Sequence, residues 1–207
     1  MTETRTRGPY RRGVERRLQV VTAAIDVFGQ YGFKGGTLQR VAERVGVSPG
    51  AIEKLFGSKA QLLVAVLERW GELTTEVIGR DARGAAQLEG FRALMEYHMR
   101  HKALLELYTT MAAEATSPEH PAHAFMTQRY RNTLETLRQL FADAVQDGQF
   151  RPMDDDEIRS EAECLLAIMD GLEVQFLLDP SRDLVRSFGL YVDRLTARLS
   201  QPSPILN

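Results

Sequence analysis

Four histidines stand in two pairs at i, i+3 spacing, His98 with His101 and His120 with His123. On a helix that spacing puts two imidazoles on one face, an arrangement able to chelate zinc. Pro121 spoils regular geometry in the second pair, and solvated or hydrogen-bonded imidazoles are the expectation for both. Asp154-Asp155-Asp156-Glu157 offers four carboxylates, a donor set for a hard cation. They stand just ahead of an apolar periodic run, however, where acids complement the positive end of a helix. No metal site and no cofactor are therefore expected. Cys164, the lone cysteine, sits mid-helix between acids and reads as an inert surface or interface thiol. The chain has no Gly-rich phosphate loop, no Gly-x-Ser-x-Gly elbow, and no Cys/His pairing with a base to activate it, so an enzyme is not expected.

Residues Thr37 to Lys59 carry a different chemistry, that of contact with duplex DNA. Thr37 is a good N-cap, and Leu38, Val41, Ala42 and Val45 form one apolar stripe behind it. Gly46 ends that helix by entering a left-handed turn without steric cost. Ser48 caps a second helix with Pro49 at its first position, where no N–H is needed. Ala51, Ile52, Leu55 and Phe56 give that helix a buried side. Two short helices joined by a Gly-containing turn make the helix-turn-helix pattern. Small residues in the first turn, Ser48, Gly50 and Ala51, let the helix end approach base edges in a major groove. A plain helical hairpin inside a bundle is the competing reading of the same spacing.

The elements that must hold this pair in place are helical throughout. Val14 to Tyr31 predicts a first helix with Leu18, Val21, Ala24, Ile25 and Phe28 on one face. Ahead of it, residues 1–12 carry Arg5, Arg7, Arg11 and Arg12 and read as a basic arm. Such arms can lie along phosphates, though a solubilising tail fits equally well. Beyond Ser58, a helix from Lys59 to about Gly79 would link head to body through Leu62, Leu63, Val66, Leu67 and Trp70. Lys59 at its start sits where an anion is favoured. After a break over 80–86 come helices over about 88–102, 104–115, 122–146 and up to 178. The last, Ser181 to Leu199, aligns Leu184, Phe188, Tyr191, Leu195 and Leu199. No strand and no internal repeat emerges, so the fold class is all-α with about nine helices. The expected division is 1–58 for the head, 59–200 for the body and 201–207 for a flexible tail.

Composition agrees with a globular chain. It has 207 residues, 43% of them hydrophobic, and no apolar run long enough to span a membrane. A charged N-terminus and a single cysteine suit a cytoplasmic protein. The formal net charge of −2 hides an asymmetry, because residues 1–60 hold 11 Lys/Arg against 5 Asp/Glu. A basic head on an acidic body suits a head that meets phosphates.

From Arg17 to Leu67 the chain resembles the TetR (tetracycline-repressor-like) family of one-component bacterial regulators. The residues that carry the resemblance are Ala24, Phe28, Gly32, Thr37, Leu38, Val41, Ala42, Gly46-Val47-Ser48, Gly50-Ala51-Ile52, Phe56, Ser58-Lys59 and Leu62. Met169-Asp170-Gly171-Leu172 and Phe176 to Pro180 are more loosely similar to the family's penultimate helix. The resemblance implies a homodimer with two DNA-binding heads, joined through the last two helices as a four-helix bundle. It also implies a regulator, mostly a repressor, that leaves DNA when a small molecule enters the body. Mapped here, DNA contacts would come from Thr37, Arg40, Ser48, Pro49, Gly50, Ala51, Lys54 and Lys59. Two positions depart from the pattern. Glu53 stands where the family usually has an aromatic, and Leu55 where it commonly has histidine or tyrosine. Glu53 would repel phosphates unless it accepts from a cytosine amino group, which the geometry of the major groove allows.

In the body, Phe91, Met95, His98, Tyr108, Met111, Met126, Tyr130, Met169 and Phe176 are soft, apolar or aromatic with a few polar tips. A pocket lined this way would take a small apolar or aromatic ligand, although such stripes are usually packed core. The helix before residue 178 is apolar on two faces, one for its own core and one for a second subunit. Leu166, Val174 and Leu177, with Phe188, Tyr191 and Leu195 of the last helix, are the expected dimer interface. The expected partners are double-stranded DNA, a small-molecule effector and a second copy of the chain, with no membrane. The competing function is a helical dimer of this fold that binds a protein partner with weak or no DNA binding.

Overall fold

The computed structural model describes residues 7–79 and 82–200. Every regular element in that range is helical: α1 (Arg7–Gly35), α2 (Leu38–Val45), α3 (Pro49–Phe56), α4 (Lys59–Ile78), α5 (Gln87–Arg100), α6 (Lys102–Glu114), α7 (His123–Gln146), α8 (Asp155–Leu178) and α9 (Leu184–Leu199). A single 3₁₀ turn, Gly84–Ala86, leads into α5. No described helix is long and apolar enough to cross a membrane.

The chain divides into two compact units. One runs up to Gly71 and adds Glu106–Phe125; the other holds Glu72–Leu105 and continues from Met126. The division falls inside α4, α6 and α7, each of which contributes residues to both units. The first unit accordingly holds the first turns of α4, beyond residue 58, and a segment that arrives from far along the chain.

In the first unit α1 packs on α2 and α2 on α3. Val20, Ala24, Val27 and Phe28 of α1, with Ile52 of α3 and Leu62, Leu63 and Val66 of α4, are fully buried in its core. The helix of α1 is interrupted at Gly32, whose φ of 64° and ψ of −177° lie outside the helical region. A side chain there would meet the carboxylate of Glu114, which accepts a hydrogen bond of 2.9 Å from the Phe33 N–H. Glycine at this position thus serves two ends, the left-handed φ and the close approach of Glu114. Trp70 stacks on Tyr108 in the same unit, with ring centroids 4.6 Å apart. Face-on aromatic contact of this kind adds to the burial of both rings.

In the second unit α5 and α8 both pack on α9. Arg92 of α5 pairs with Asp193 of α9, and Arg198 of α9 makes two hydrogen bonds to Glu161 of α8 at 2.8 and 2.7 Å. Phe188, Leu195 and Leu199 of α9 and Leu165 of α8 are buried between these helices.

Several boundaries differ from expectation. Helix α1 begins at Arg7, so Arg7, Arg11 and Arg12 belong to a helix and not to an arm; Arg5 lies outside the described residues, as does the expected tail at 201–207. Helix α9 begins three residues later than its periodicity predicts. Asp179 accepts hydrogen bonds from the Ser181 N–H and hydroxyl at 3.2 and 2.6 Å, which holds 179–182 as a turn. Asp183 then supplies the N-cap, accepting from the Arg186 N–H at 2.9 Å.

Candidate nucleic-acid interface

The turn between α2 and α3 is built from three local decisions. Thr37 Oγ1 accepts from the Arg40 N–H at 3.2 Å and starts α2. Gly46, at φ 70°, ψ 41°, ends it in the left-handed region, and the Val47 N–H returns to the Ala42 carbonyl at 3.1 Å. Ser48 Oγ then accepts from the Ala51 N–H at 3.2 Å and starts α3, with Pro49 at its first position. Val41 and Ala42 of α2 and Ile52 and Phe56 of α3 are buried, so the opposite sides of both helices face solvent.

On that solvent side lie most of the residues expected at DNA. Thr37, Arg40, Ser48, Gly50, Glu53 and Lys54 are exposed, and Pro49 and Ala51 are half-buried. No acidic side chain occupies the first turn of α3. Its amino end therefore keeps the partial positive charge of its unpaired N–H groups. Arg40 lies over the ring of Tyr31 at 4.1 Å, which holds an exposed guanidinium in one place. Lys59 stands differently. It is half-buried, donates to the Lys34 carbonyl at 3.3 Å and lies 4.4 Å from the centroid of Phe33. Burial draws its pKa below the ordinary lysine value, with Glu114 acting in the opposite sense. Lys59 is thus engaged with the last residues of α1, at the point where a phosphate contact was expected of it. Leu55, a departure from the family pattern, is half-buried.

Sequence reasoning missed Arg17. Its guanidinium lies 4.2 Å from the centroid of Phe56 and donates to the Leu55 carbonyl at 2.9 Å. An arginine of α1 thereby satisfies a carbonyl at the end of α3 and fixes the angle between the two helices. Thirty-eight residues separate the pair, and no local pattern announces it.

The expected effector-lining residues fall in both units. Tyr108 and Met111 belong to the first. Phe91, Met95, His98, Met126, Met169 and Phe176 are buried in the second, and half-buried Tyr130 donates its hydroxyl to Asp170 at 2.8 Å. The histidine pairs do not act as pairs. His98 meets Glu173, whereas His101 lies 2.8 Å from the Tyr97 carbonyl and stacks on that ring. His120 faces Glu114 at 3.3 Å, and His123 lies 2.8 Å from the Ala115 carbonyl. Of the six residues expected at a dimer interface, Leu166, Phe188 and Leu195 are buried within the protomer itself. They lie in the unit where α9 packs on both α5 and α8. Val174 stays exposed, Leu177 and Tyr191 are half-buried, and Leu178 and Leu190 add apolar surface at 81% and 46% exposure.

Comparison with known proteins decides the family. Residues 20–66 match the family described as bacterial regulatory proteins, tetR family, and residues 85–189, half of the chain, match the C-terminal family of BetI-type transcriptional repressors. The chain belongs to the TetR family. The HTH-type transcriptional regulator BetI of Rhizobium meliloti is 34% identical over 86 residues, which cover 41% of this TetR-family chain and 42% of that relative. The chain thus spans about two-fifths of the length of that curated relative. The HTH-type transcriptional repressor AcnR of Corynebacterium jeikeium is 27% identical over 76% of the chain and 79% of its own length. Among solved structures, the transcriptional regulator FadR from Bacillus subtilis, in complex with stearoyl-CoA, superposes with a TM-score of 0.73 at 17% identity, covering 87% of this chain and 97% of that one. At that identity the likeness concerns the fold. The regulators matched are transcriptional regulators, and the helical head and body described above are theirs in outline.

Proposed function

We propose that this TetR-family chain is a cytoplasmic one-component transcriptional regulator, most simply a repressor. In this reading it binds a palindromic operator as a homodimer and leaves it when a small apolar or aromatic ligand enters the body. The observation that carries the reading is the solvent-facing tip of α3, with Ser48, Gly50 and Lys54 exposed behind a buried Ile52–Phe56 side. A helix end of this size and polarity fits a major groove, and two such tips about 34 Å apart would meet successive turns of B-form DNA. The apolar surface of Val174, Leu178 and Leu190 supports a second copy as partner. Relatives of the same fold in complex with stearoyl-CoA and with triclosan support an apolar effector. The ligand would act by its preference between two shapes of the body, since equal affinity for both shifts nothing.

The test is binding to DNA flanking the protein's own gene, followed by fluorescence anisotropy across a salt series. Saturable, salt-sensitive binding is expected, and Lys54→Ala should lower the magnitude of the salt slope by about one while weakening all sequences alike. Glu53→Gln should strengthen binding overall if the carboxylate repels phosphates. If it instead relaxes preference at one base pair, Glu53 reads a cytosine. Absence of binding at low salt would overturn the regulator and leave a helical dimer that recognises a protein partner, the reading that Glu53 and Leu55 favour.

A further inference from the structure

His98 and Glu173 form a pair buried in the second unit. His98 Nδ1 lies 2.7 Å from Glu173 Oε1, and both residues are 2% exposed. Each stands in the middle of an apolar stripe. On α5 the turns before His98 carry Phe91, Leu94 and Met95, all buried. On α8 Glu173 falls between Met169 and Phe176, one turn to either side. A charged side chain in that place costs several kcal/mol on its own and is kept only where a partner or a function requires it.

The partner accounts for one nitrogen of the imidazole and not the other. His98 Nε2 is buried and has no hydrogen-bond partner among the described residues. Buried polar atoms are nearly always bonded, so an orphan among buried apolar side chains calls for an explanation. The protonation of the pair says which kind of group is missing. Burial favours the form with no net charge. That form has one proton between Glu173 Oε1 and His98 Nδ1 and a second on His98 Nε2 or Glu173 Oε2, and on Nε2 it makes a donor. Burial also pushes the Glu173 carboxyl above its ordinary range, with Asp170 adding to the rise and His98 and Arg129 opposing it. With the second proton on Nε2, the buried pair presents a donor and lacks an acceptor. Arg129 and Asp170 bring opposite charges to the neighbourhood, which leaves an uncharged acceptor as the better match.

We propose that the His98–Glu173 pair is the polar anchor of the effector site, and that it selects an apolar molecule bearing an uncharged oxygen acceptor, a carbonyl above all, hydrogen-bonded to His98 Nε2. The proposal rests on the effector-responsive reading above and narrows it from any apolar ligand to one with this oxygen. Glu173 is a positioning residue here. It holds the ring and its tautomer, and the ligand contact belongs to His98. A ligand that lacks the oxygen leaves this donor unpaired and should bind roughly tenfold more weakly or worse.

The experiment uses the full chain without DNA and two probes of one skeleton, 1-indanone and indane. Affinities are read by ligand-observed NMR, and the imidazole nitrogens by ¹⁵N-histidine labelling. The ketone should bind about tenfold more tightly than the hydrocarbon and should shift the His98 Nε2 signal, which indane leaves in place. In His98→Phe the ratio should fall to about one with indane still bound. Should that variant fail to fold, the Nε2 shift of the wild-type chain decides alone. Equal affinity for the two probes, no binding of either, or a ratio that survives His98→Phe would each overturn the proposal. Because no DNA is present, operator binding can fail or succeed independently of this result.

Discussion

Ser48 starts α3 and Asp154 starts α8 in the same manner, each accepting a hydrogen bond from the N–H three residues on, at 3.2 and 2.8 Å. Past the cap the two helices part. The first turn of α8 carries Asp155, Asp156 and Glu157, and Glu157 is further tied to Arg151. Its helix dipole is answered from within the chain. The first turn of α3 carries proline, glycine and alanine and no acid. Its positive end is left open, and the residues around it are small. Capping is a stability device common to both, whereas the charge and size of the next three residues decide whether a helix end is closed or available to a phosphate. The same contrast runs between the units: the head displays its polar groups, and the body buries a His–Glu pair.

The most forceful way to break the comparison is to remove the scaffold behind α3. Phe28 is fully buried in the first unit. Phe28→Ala should cost about 3–5 kcal/mol of head stability, read as an earlier urea transition by circular dichroism, and operator binding should go with it. A loss near zero would mean that the head does not depend on this core.

Next in size is the buried pair. Glu173→Leu leaves His98 without its partner and should cost about 1–3 kcal/mol. The isosteric Glu173→Gln sharpens the point through pH. Burial raises the Glu173 pKa in the folded state above the ordinary 4.5. Between the unfolded and folded values the native state therefore holds a proton that the unfolded chain has lost, and stability falls as pH rises through that window. The Gln variant should lack this fall in urea titrations run upward from about pH 4.5. A wild-type curve as flat as the variant's would refute the assignment.

The smallest expected effects test the contrast directly. Ser48→Ala and Asp154→Ala should each cost about 1 kcal/mol, since each removes one cap. Only Ser48→Ala should also weaken DNA binding. Equal DNA binding by the two variants would show that the α3 start has no role the α8 start lacks.

Much of this was legible in local sequence. Thr37, Gly46, Ser48 and Pro49 act on their own neighbours, and each does in the structure what its chemistry dictates. What escaped was long-range or competed for. The Arg17 contact with Leu55 and Phe56 depends on how α1 crosses α3, which no spacing encodes. The α9 start moved because Asp179 claimed Ser181 for a turn. Glu173 left a readable sign, an acid at a position the apolar stripe of α8 should have filled, and its meaning waited on His98, 75 residues away.

Periodicity and capping chemistry determined that the chain is helical, where the helix-turn-helix lies and which side of α3 is apolar, because those depend on interactions within about one helical turn. The tertiary structure alone decided which apolar stripes the protomer consumes. Phe188 and Leu195 went to the core, while Val174, Leu178 and Leu190 stayed at the surface. A stripe shows that a face must be covered, but what covers it depends on the crossing of helices far apart in sequence.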